Sequence, residues 1–258
     1  MLNLNEIKKF YSQEESFMVL NIVKEYFQYK LLDHIYSSKF GEKLSFMGGT
    51  CIRIIYGSDR FSEDLDFDNF GMSFDEFVQM TAMLKSKFEQ EGIIVESRAI
   101  SSGAFRCYYK IPEVLKSLEL SGFEEQKLLI KIDTAYQKYQ FRPDVKIINK
   151  FGIFQEIIVN PAKIILSQKI CALLLRPRLI VRDIYDIVTL YGFTKPDYEY
   201  LEKVLKIKTI SGLKSRIIKR LEGANLDKLS DELKNFVTSE SKLLKVKKFR
   251  SWLLNTEL

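Results

Sequence analysis

The first part of the chain combines two patterns of apolar residues, one with helical spacing and one in which polar and apolar residues alternate. Helical spacing over Glu14–Phe40 and Phe74–Glu91 predicts helices that end at the glycines following them. The other segments are short and rich in β-branched and aromatic residues, as strands are. Strands are predicted at Leu44–Met47, Asp64–Phe67, Ile93–Ile100, Phe105–Ile111, Lys127–Thr134, Val145–Ile148 and Ile153–Val159.

From residue 160 onward the pattern is helical throughout. Asn160 is a favoured N-cap residue and Pro161 a favoured first helical residue, so a helix is predicted to begin here and to end before Pro177. Further helices are predicted at 180–191, 196–207, 211–222 and 229–256. The sequence therefore predicts an α+β protein, with a mixed α/β part at residues 1–159 and an all-helical part at residues 160–258.

The composition supports a folded protein and argues against several kinds of site. Hydrophobic residues make up 46% of the 258 positions, which is enough for a sizeable core. Cys51, Cys107 and Cys171 are far apart and lack metal-ligand spacing, so we expect buried free thiols in a reducing cytosol. The single histidine, His34, lies in an amphipathic run, and catalysis by a histidine-activated nucleophile has little support.

The net charge of +6 is compatible with a polyanionic partner such as RNA, and equally with an ordinary lysine-rich surface. The first residues lack a basic segment followed by an apolar core, so no signal peptide is expected. No apolar run reaches the roughly 18 residues that a membrane-spanning helix needs. We therefore expect a cytoplasmic protein.

Two glycines stand between a predicted strand and a predicted short helix. Gly48 and Gly49 follow Leu44–Met47 and precede one or two helical turns over Thr50–Tyr56. Glycine lets the backbone approach phosphate oxygens closely, and the N–H groups at a helix N-terminus bind anions. This pattern favours a phosphate-binding turn, although paired glycines are also common in ordinary turns.

Two aspartates, Asp64 and Asp66, lie two residues apart in the next predicted strand. Their side chains point to the same face, while Leu65 and Phe67 anchor the other face in the core. Adjacent carboxylates repel each other and usually need a cation, and hard oxygen ligands suit Mg²⁺ held together with substrate phosphates. Two such ions can stabilise the attacking oxygen and the leaving group. A solvated acidic strand edge is the more common explanation for an isolated pair of this kind.

Further polar residues surround this motif. Arg60 and Ser62 could contact a triphosphate, or Arg60 could form surface ion pairs with neighbouring acids. Arg53 lies among isoleucines, where an arginine is usually either paired or functional. Asp133 is the acid at the end of another predicted strand, and it would supply the third carboxylate of a two-metal site or cap the segment that follows.

The helical part adds one lysine and two aspartates. Lys169 has apolar neighbours on its helix, so its side chain either snorkels to the surface or points into a cleft. Asp183 and Asp186 share a helix face. Alternatively, Asp183 caps the helix and Asp186 pairs with Arg182.

In their order along the chain, these motifs resemble the AbiEii-type nucleotidyltransferases, a toxin family that includes the MenT toxins and lies in the DNA polymerase β-like superfamily. The resemblance covers roughly residues 44–190. The family motifs are G-G-T, a following Arg, R-[FT]-S-x-D-[IL]-D-[FL], a strand acid, K-x-x-A-L and R-x-x-[KR]-D-[IL]-Y-D, the last of which matches loosely at its start. They correspond to Gly48–Thr50, Arg53, Arg60–Phe67, Asp133, Lys169–Leu173 and Arg178–Asp186.

The resemblance implies a polymerase β-like core, with a mixed sheet flanked by helices, and a helical C-terminal part that completes the active site. Asp64, Asp66 and Asp133 would be the Mg²⁺ ligands, although Asp133 could instead accept a proton. Asp64, Asp66, Lys169 and Asp183 would be the catalytic residues, and the part played by Asp186 is left open. The nucleoside triphosphate would be held by Gly48, Gly49, Thr50, Arg53, Arg60 and Ser62.

The function expected from the resemblance is Mg²⁺-dependent transfer of a nucleoside monophosphate from an NTP to an acceptor hydroxyl. The expected acceptor is RNA, above all the tRNA 3′ end, and the protein would be the toxin of a toxin–antitoxin system with a cognate antitoxin. Transfer to a protein or small-molecule hydroxyl is one alternative, and a non-catalytic nucleotide-binding module is another. No motif specifies which NTP is used.

Overall fold

A computed structural model describes residues 2–112, 114–117, 127–137 and 139–256. The chain divides into two compact units, Met1–Ile55 with Phe61–Asn160 and Tyr56–Arg60 with Pro161–Leu258. The first unit contains the helices α1 Leu4–Lys8, α2 Gln13–Ser16, α3 Val19–Tyr36, α4 Gly48–Ile54, α5 Phe74–Gln90 and α6 Val114–Ser117. Its strands are β1 Leu44–Met47, β2 Leu65–Asn69, β3 Glu96–Ser101, β4 Phe105–Ile111, β5 Leu128–Tyr136, β6 Asp144–Lys150 and β7 Ile153–Val159.

The strands form one mixed seven-stranded sheet in the order β3-β4-β5-β2-β1-β7-β6. Strand β2 is parallel to β5 and antiparallel to β1, while β1 is parallel to β7. The helices α3 and α5 pack against the sheet. On the covered face, Phe46, Phe67 and Ile132 are at most 1% exposed. Leu65 and Phe67 therefore anchor β2 in the core, as the alternation of apolar and polar residues predicts.

The strand predictions from the sequence hold closely in this unit. Strands β1, β4 and β7 have the predicted bounds, whereas β3 begins at Glu96 rather than at Ile93. The Ile93 N–H donates to the Phe88 carbonyl at 2.9 Å, and Ile93 is buried. Ile93 therefore belongs to the turn that follows α5, because its backbone N–H bonds to the helix and not to a neighbouring strand.

Asn160 does not cap the helix that follows it, contrary to the prediction. Its backbone N–H donates to the Phe46 carbonyl at 2.9 Å, and its side-chain Nδ2 donates to Oδ2 of Asp68 at 2.6 Å. The N-cap position is instead held by Pro161, whose ψ of 144° is not helical. The Asn160 side chain thus bonds to a buried carboxyl group of the sheet, because a buried polar group needs a hydrogen-bond partner.

The second unit is helical, with α7 Ala162–Leu175, α8 Val181–Tyr191, α9 Tyr198–Leu205 and α10 Ile210–Arg220. The single helix predicted for residues 229–256 is wrong. This segment contains short helices and 3₁₀ turns at α11 Leu226–Ser230, Asp231–Phe236, Glu240–Leu243, α12 Leu244–Lys247 and α13 Phe249–Asn255. Val237 and Ser239 have extended backbone conformations, which interrupt the helix between the 3₁₀ turns. Burial of Leu233, Leu243 and Phe249 anchors the separate turns.

Two further expectations concern cysteines and membranes. Cys51, Cys107 and Cys171 are free and buried, as expected from their spacing. Among the described residues, no helix is both long enough and apolar enough to cross a membrane.

Candidate active site

Three predicted acids share one face of the sheet in the first unit. Asp64 immediately precedes β2, and Asp66 lies within it. The parallel pairing of β2 with β5 places Asp66 directly opposite Asp133. Side chains two residues apart in a strand point the same way, so Asp64 lies on the face that carries Asp66 and Asp133. The Asp64 and Asp133 side chains are 38% and 23% exposed, so solvent and ligands can reach both.

A lysine lies between two of these acids. Nζ of Lys131 is 2.8 Å from Oδ2 of Asp133 and 3.3 Å from Oδ2 of Asp64. Burial lowers the pKa of Lys131, but its bonds to Asp133 and Asp64 outweigh this effect and raise that pKa above its usual value. Lys131 therefore supplies the cation that neighbouring carboxylates require. Lys131 is not among the residues predicted from the sequence, although its position two residues before Asp133 places it on the same face.

Asp133 is also flanked by an arginine on its other side. Arg106 on β4 is the register partner of Asp133, and its Nε is 3.2 Å from Oδ1 of that carboxylate. Oδ1 is buried and accepts no hydrogen bond in the part of the chain that the structure describes. Its partner is the Arg106 guanidinium, which compensates its charge without a well-aligned hydrogen bond.

These donors fit a hard divalent cation by their chemistry. Carboxylate oxygens are the ligands that Mg²⁺ takes from proteins, usually one or two together with substrate phosphates. Within the described ranges, however, no three histidine, cysteine or acidic side chains converge into a ready-made metal site. Lys131 lies between Asp64 and Asp133 and binds both carboxylates. A metal ion would therefore have to displace its ammonium group to bind these acids together.

The Gly48 turn lies directly against Asp66. Met47 pairs with Asp66 across β1 and β2, and Gly48 follows with a φ of +79°. A side chain at Gly48 would collide with the Asp66 carboxylate. Glycine is thus needed here both for the left-handed backbone and for the close approach to the acid. The helix α4 begins at Gly48, and no side chain caps its N-terminus.

One predicted nucleotide-binding residue, Thr50, holds the loop that leads into β2, and another, Ser62, lies in that loop. The buried Thr50 hydroxyl donates to the Asp64 carbonyl. Nε2 of Gln28 donates to the Ser62 carbonyl at 3.0 Å. These bonds fix the backbone around Asp64, so Thr50 positions an acid of the candidate site through the main chain.

Arg53 is paired within the first unit. Its Nε is 2.8 Å from Oε2 of Glu25, and its Nη2 is 2.8 Å from Oε1 of Glu15. The guanidinium also lies 4.2 Å from the centre of the Phe61 ring. Although burial raises the pKa of Glu25, Arg53 and Lys150 hold that pKa below its usual value. Of the two explanations for an arginine among isoleucines, the geometry favours the paired, structural one.

The second unit contains a separate buried charge cluster around Lys169. Nζ of Lys169 is 2.8 Å from Oδ2 of Asp186 and 3.1 Å from Oδ1 of Asp183. Nη1 of Arg176 is 2.7 Å from the other oxygen of Asp183. Burial lowers the pKa of Lys169, and the two acids raise it above its usual value despite that burial. The ammonium group of Lys169 is thus held charged and fixed in orientation.

Arg60 belongs to the same cluster. Its guanidinium bonds to both oxygens of Asp186 at 2.8–3.1 Å, and Arg60 is only 2% exposed. Neighbouring Asp59 accepts a bond from the Tyr185 hydroxyl at 2.6 Å and pairs with Lys245 at 2.9 Å. Although burial acts in the opposite direction, these bonds lower the pKa of Asp59 to about 2.

The alternative interpretation of α8, in which Asp183 caps the helix and Asp186 pairs with Arg182, does not match the structure in two details. The N-cap of α8 is Ile180, and Asp183 lies inside the first turn, buried and bound to Lys169 and Arg176. Asp186, whose role the sequence left open, is fully buried and binds both Arg60 and Lys169.

The predicted site residues are found in two sets, one in each unit. Gly48, Gly49, Thr50, Arg53, Ser62, Asp64, Asp66 and Asp133 lie in the first unit, and Arg60, Lys169 and Asp183 lie in the second.

Comparisons with known proteins give one family match and several structures of similar fold. Residues 30–251 match the family described as nucleotidyl transferase AbiEii toxin, type IV TA system. The crystal structure of JHP933 from Helicobacter pylori is similar at a TM-score of 0.54 and 16% identity, covering 90% of this chain and 91% of that one. A second H. pylori structure, provisionally described as a nucleotidyltransferase, has a TM-score of 0.54 and 18% identity, covering 90% and 93%. No curated protein matches the sequence.

Proposed function

Because the chain belongs to the AbiEii nucleotidyltransferase toxin family of type IV toxin–antitoxin systems, we propose that it transfers a nucleoside monophosphate from an NTP to the 3′ end of an RNA, with tRNA as the main acceptor. Mg²⁺ is the proposed metal ion. A cognate antitoxin is the proposed protein partner.

The observation that carries the proposal is the register of β2 and β5. It places Asp66 opposite Asp133 on the open face of the sheet, with Asp64 on the same face. Asp64 and Asp66 would hold Mg²⁺, and Asp133 would add an oxygen ligand. When bound there, Mg²⁺ would neutralise the triphosphate and stabilise the departing pyrophosphate.

The acceptor hydroxyl attacks the α-phosphorus of the NTP in line with the bond to the bridging oxygen. A new phosphorus–oxygen bond forms to the acceptor, and the bond to the β-phosphate breaks with release of pyrophosphate. The Asp133 carboxylate would take the hydroxyl proton if it does not bind metal. Catalysis then rests on positioning and charge neutralisation rather than on a covalent enzyme intermediate.

The Gly48 turn is proposed to face the phosphates. Glycine at position 48 leaves the turn without a side chain beside Asp66, and the backbone N–H groups of such a turn would bind phosphate oxygens. Thr50 and Gln28 support this arrangement by fixing the loop that carries Ser62 and Asp64. Arg53 acts indirectly, since its guanidinium is bound to Glu15 and Glu25.

Lys169 and Asp183 are proposed to be required for the transfer, as in the family motif that they match. Lys169 is the residue of this pair suited to bind a phosphate, because its ammonium is charged and oriented by two acids. Arg60 is proposed to orient this cluster through Asp186 rather than to touch the nucleotide, since its guanidinium is buried against that acid.

The deciding experiment incubates the protein with each α-³²P-labelled NTP and Mg²⁺, and with tRNA, total RNA, a protein mixture or small hydroxyl compounds as acceptors. Label in tRNA that is lost in both Asp64→Ala and Asp66→Ala supports the proposal. If label appears only in protein or in small molecules, the acceptor is that class of compound and not RNA. If no acceptor is labelled and calorimetry detects neither NTP nor Mg²⁺ binding, the chain is a non-catalytic relative.

A further inference from the structure

The face of the sheet that carries the acids continues across β5, β4 and β3 as an open, polar surface. Register pairs place Ile100, Arg106, Asp133 and Asp66 in one row across four strands. A second row contains Arg98, Tyr108 and Lys131. Neighbouring strands lie about 4.8 Å apart, so Tyr108 is one strand away from Lys131, which itself binds Asp64.

A groove of about 520 Å³ lies on the β3–β4 part of this face. It is lined by Glu96, Ser97, Arg98, Ile100, Tyr108 and Lys110. Arg98 and Lys110 are exposed, while Tyr108 is half-buried and keeps part of its ring accessible. The groove thus combines an aromatic ring and an apolar side chain with two cationic side chains.

The charge of the groove favours an anion. Glu96 on its rim is compensated by Lys127, whose Nζ is 2.6 Å from the Glu96 carboxylate. Arg98 forms no ion pair with a described residue, so its charge is available to a ligand. Nearer the acids, Arg106 and Lys131 are paired with Asp133. On the side away from the acids, the sheet ends at the edge strand β3. A flexible, extended polymer could therefore enter the groove from solvent at this edge.

From this arrangement we propose that the groove binds the single-stranded 3′ segment of the acceptor RNA and guides its end towards Asp133. The Tyr108 ring stacks on a base, and Arg98 and Lys110 bind backbone phosphates. Aromatic rings interleaved with cations on an open sheet face are the arrangement by which proteins bind single-stranded nucleic acid. This inference rests on the proposed function for its choice of RNA as acceptor.

The test measures binding of a fluorescent 12-nucleotide single-stranded RNA by anisotropy, without NTP or metal, at 50 and 200 mM salt. Tyr108→Leu is expected to weaken binding roughly 5- to 150-fold, the range that loss of one stacked base gives. Tyr108→Phe keeps the ring and is expected to bind like the wild type. Arg98→Gln is expected to weaken binding and to reduce the slope of log affinity against log salt by about 1 or less.

Matched controls come from exposed residues outside the groove. Tyr136, 71% exposed on the opposite face of β5, serves as Tyr136→Leu, and exposed Arg142 serves as Arg142→Gln. Equal melting temperatures show that each variant is folded. The proposed RNA-binding groove would be overturned if Tyr108→Leu bound RNA as tightly as the wild type. It would also be overturned if Tyr108→Phe or the control variants lost as much RNA affinity as Tyr108→Leu.

The two proposals fail separately in this design. If the protein labels no acceptor but its RNA binding depends on Tyr108 and Arg98, the groove stands and the transferase proposal falls. If the protein labels a protein or small molecule and binds no single-stranded RNA, the groove falls and the transferase chemistry stands.

Discussion

Arg60 and Asp186, 126 positions apart in the sequence, form a buried bidentate ion pair. The guanidinium Nη2 is 2.8 Å from one carboxylate oxygen and 3.0 Å from the other. Lys169 binds the same carboxylate at 2.8 Å. Asp186 therefore compensates two buried cations, which makes it the residue of this cluster whose loss should cost the most stability.

Asp186→Ala is expected to destabilise the protein by about 3–5 kcal/mol, because it leaves Arg60 and Lys169 buried without their shared carboxylate. Urea denaturation monitored by circular dichroism gives the change in the free energy of unfolding. Asp75→Ala, at an exposed position of α5, is the control and should change stability by about 0.5 kcal/mol or less. A loss below about 1 kcal/mol in Asp186→Ala would show that the pair is not structurally important.

Asp64→Ala and Asp66→Ala are expected to abolish nucleotide transfer while leaving the fold intact. Both acids lie on the open sheet face, and the core face of β2 is held by Leu65 and Phe67. Pyrophosphate release and label transfer measure activity, and the melting temperature measures stability. Full transfer by either variant, at unchanged melting temperature, would remove these acids from the proposed site. Asp75→Ala should keep full activity.

Lys131→Met is expected to bind Mg²⁺ or Mn²⁺ roughly tenfold more tightly than the wild type. The wild-type ammonium competes for Asp64 and Asp133, and losing a charge at this distance is worth on the order of 1–4 kcal/mol. Calorimetry without NTP measures the affinity directly. Lys127→Met, which removes a cation that binds Glu96 instead, is the control and should leave metal affinity unchanged. Weaker metal binding in Lys131→Met would mean that this lysine supports the metal rather than replacing it.

Gly48→Ala is expected to reduce both stability and transfer activity. Its methyl group would collide with the Asp66 carboxylate, and its φ of +79° is unfavourable for alanine. Gly92 offers a matched control, since its φ is +76° and a methyl group there would meet nothing within 4 Å. Gly92→Ala should therefore cost only the backbone strain of about 1–2 kcal/mol and keep its activity. Equal effects of the two substitutions on activity would contradict a special role for Gly48.

Asp59 is expected to make stability depend on pH in the acid range. Its pKa is about 2 in the folded protein, against an ordinary value of 3.8, so folding favours the charged form. This stabilisation is complete above about pH 4–5 and is lost as the pH falls through the folded-state value. The stability gap between wild type and Asp59→Asn should therefore narrow between about pH 4 and pH 2. Melting temperatures across this range measure the gap, and a gap that stays constant would exclude the linkage.

The sequence by itself determined most of the sheet and one half of the candidate site. Alternation of polar and apolar residues located the strands, because a half-buried strand must place every second side chain in the core. The same period predicted that Asp64 and Asp66 share a face. Gly48 was likewise readable, since a glycine between a strand and a helix indicates a turn that other residues cannot form.

Only the tertiary structure decided which residues compensate the charges. Spacing along β5 already put Lys131 on the face of Asp133, but only the register of β2 against β5 placed it beside Asp64, and no local pattern fixes a register between distant strands. Three other features also depend on contacts between distant parts of the chain. Arg60 binds Asp186, Asn160 binds Asp68, and the segment after residue 229 forms short turns instead of one helix. Buried charges and apolar side chains take partners that lie close in space, and this nonlocal requirement outweighs local helix and cap propensity.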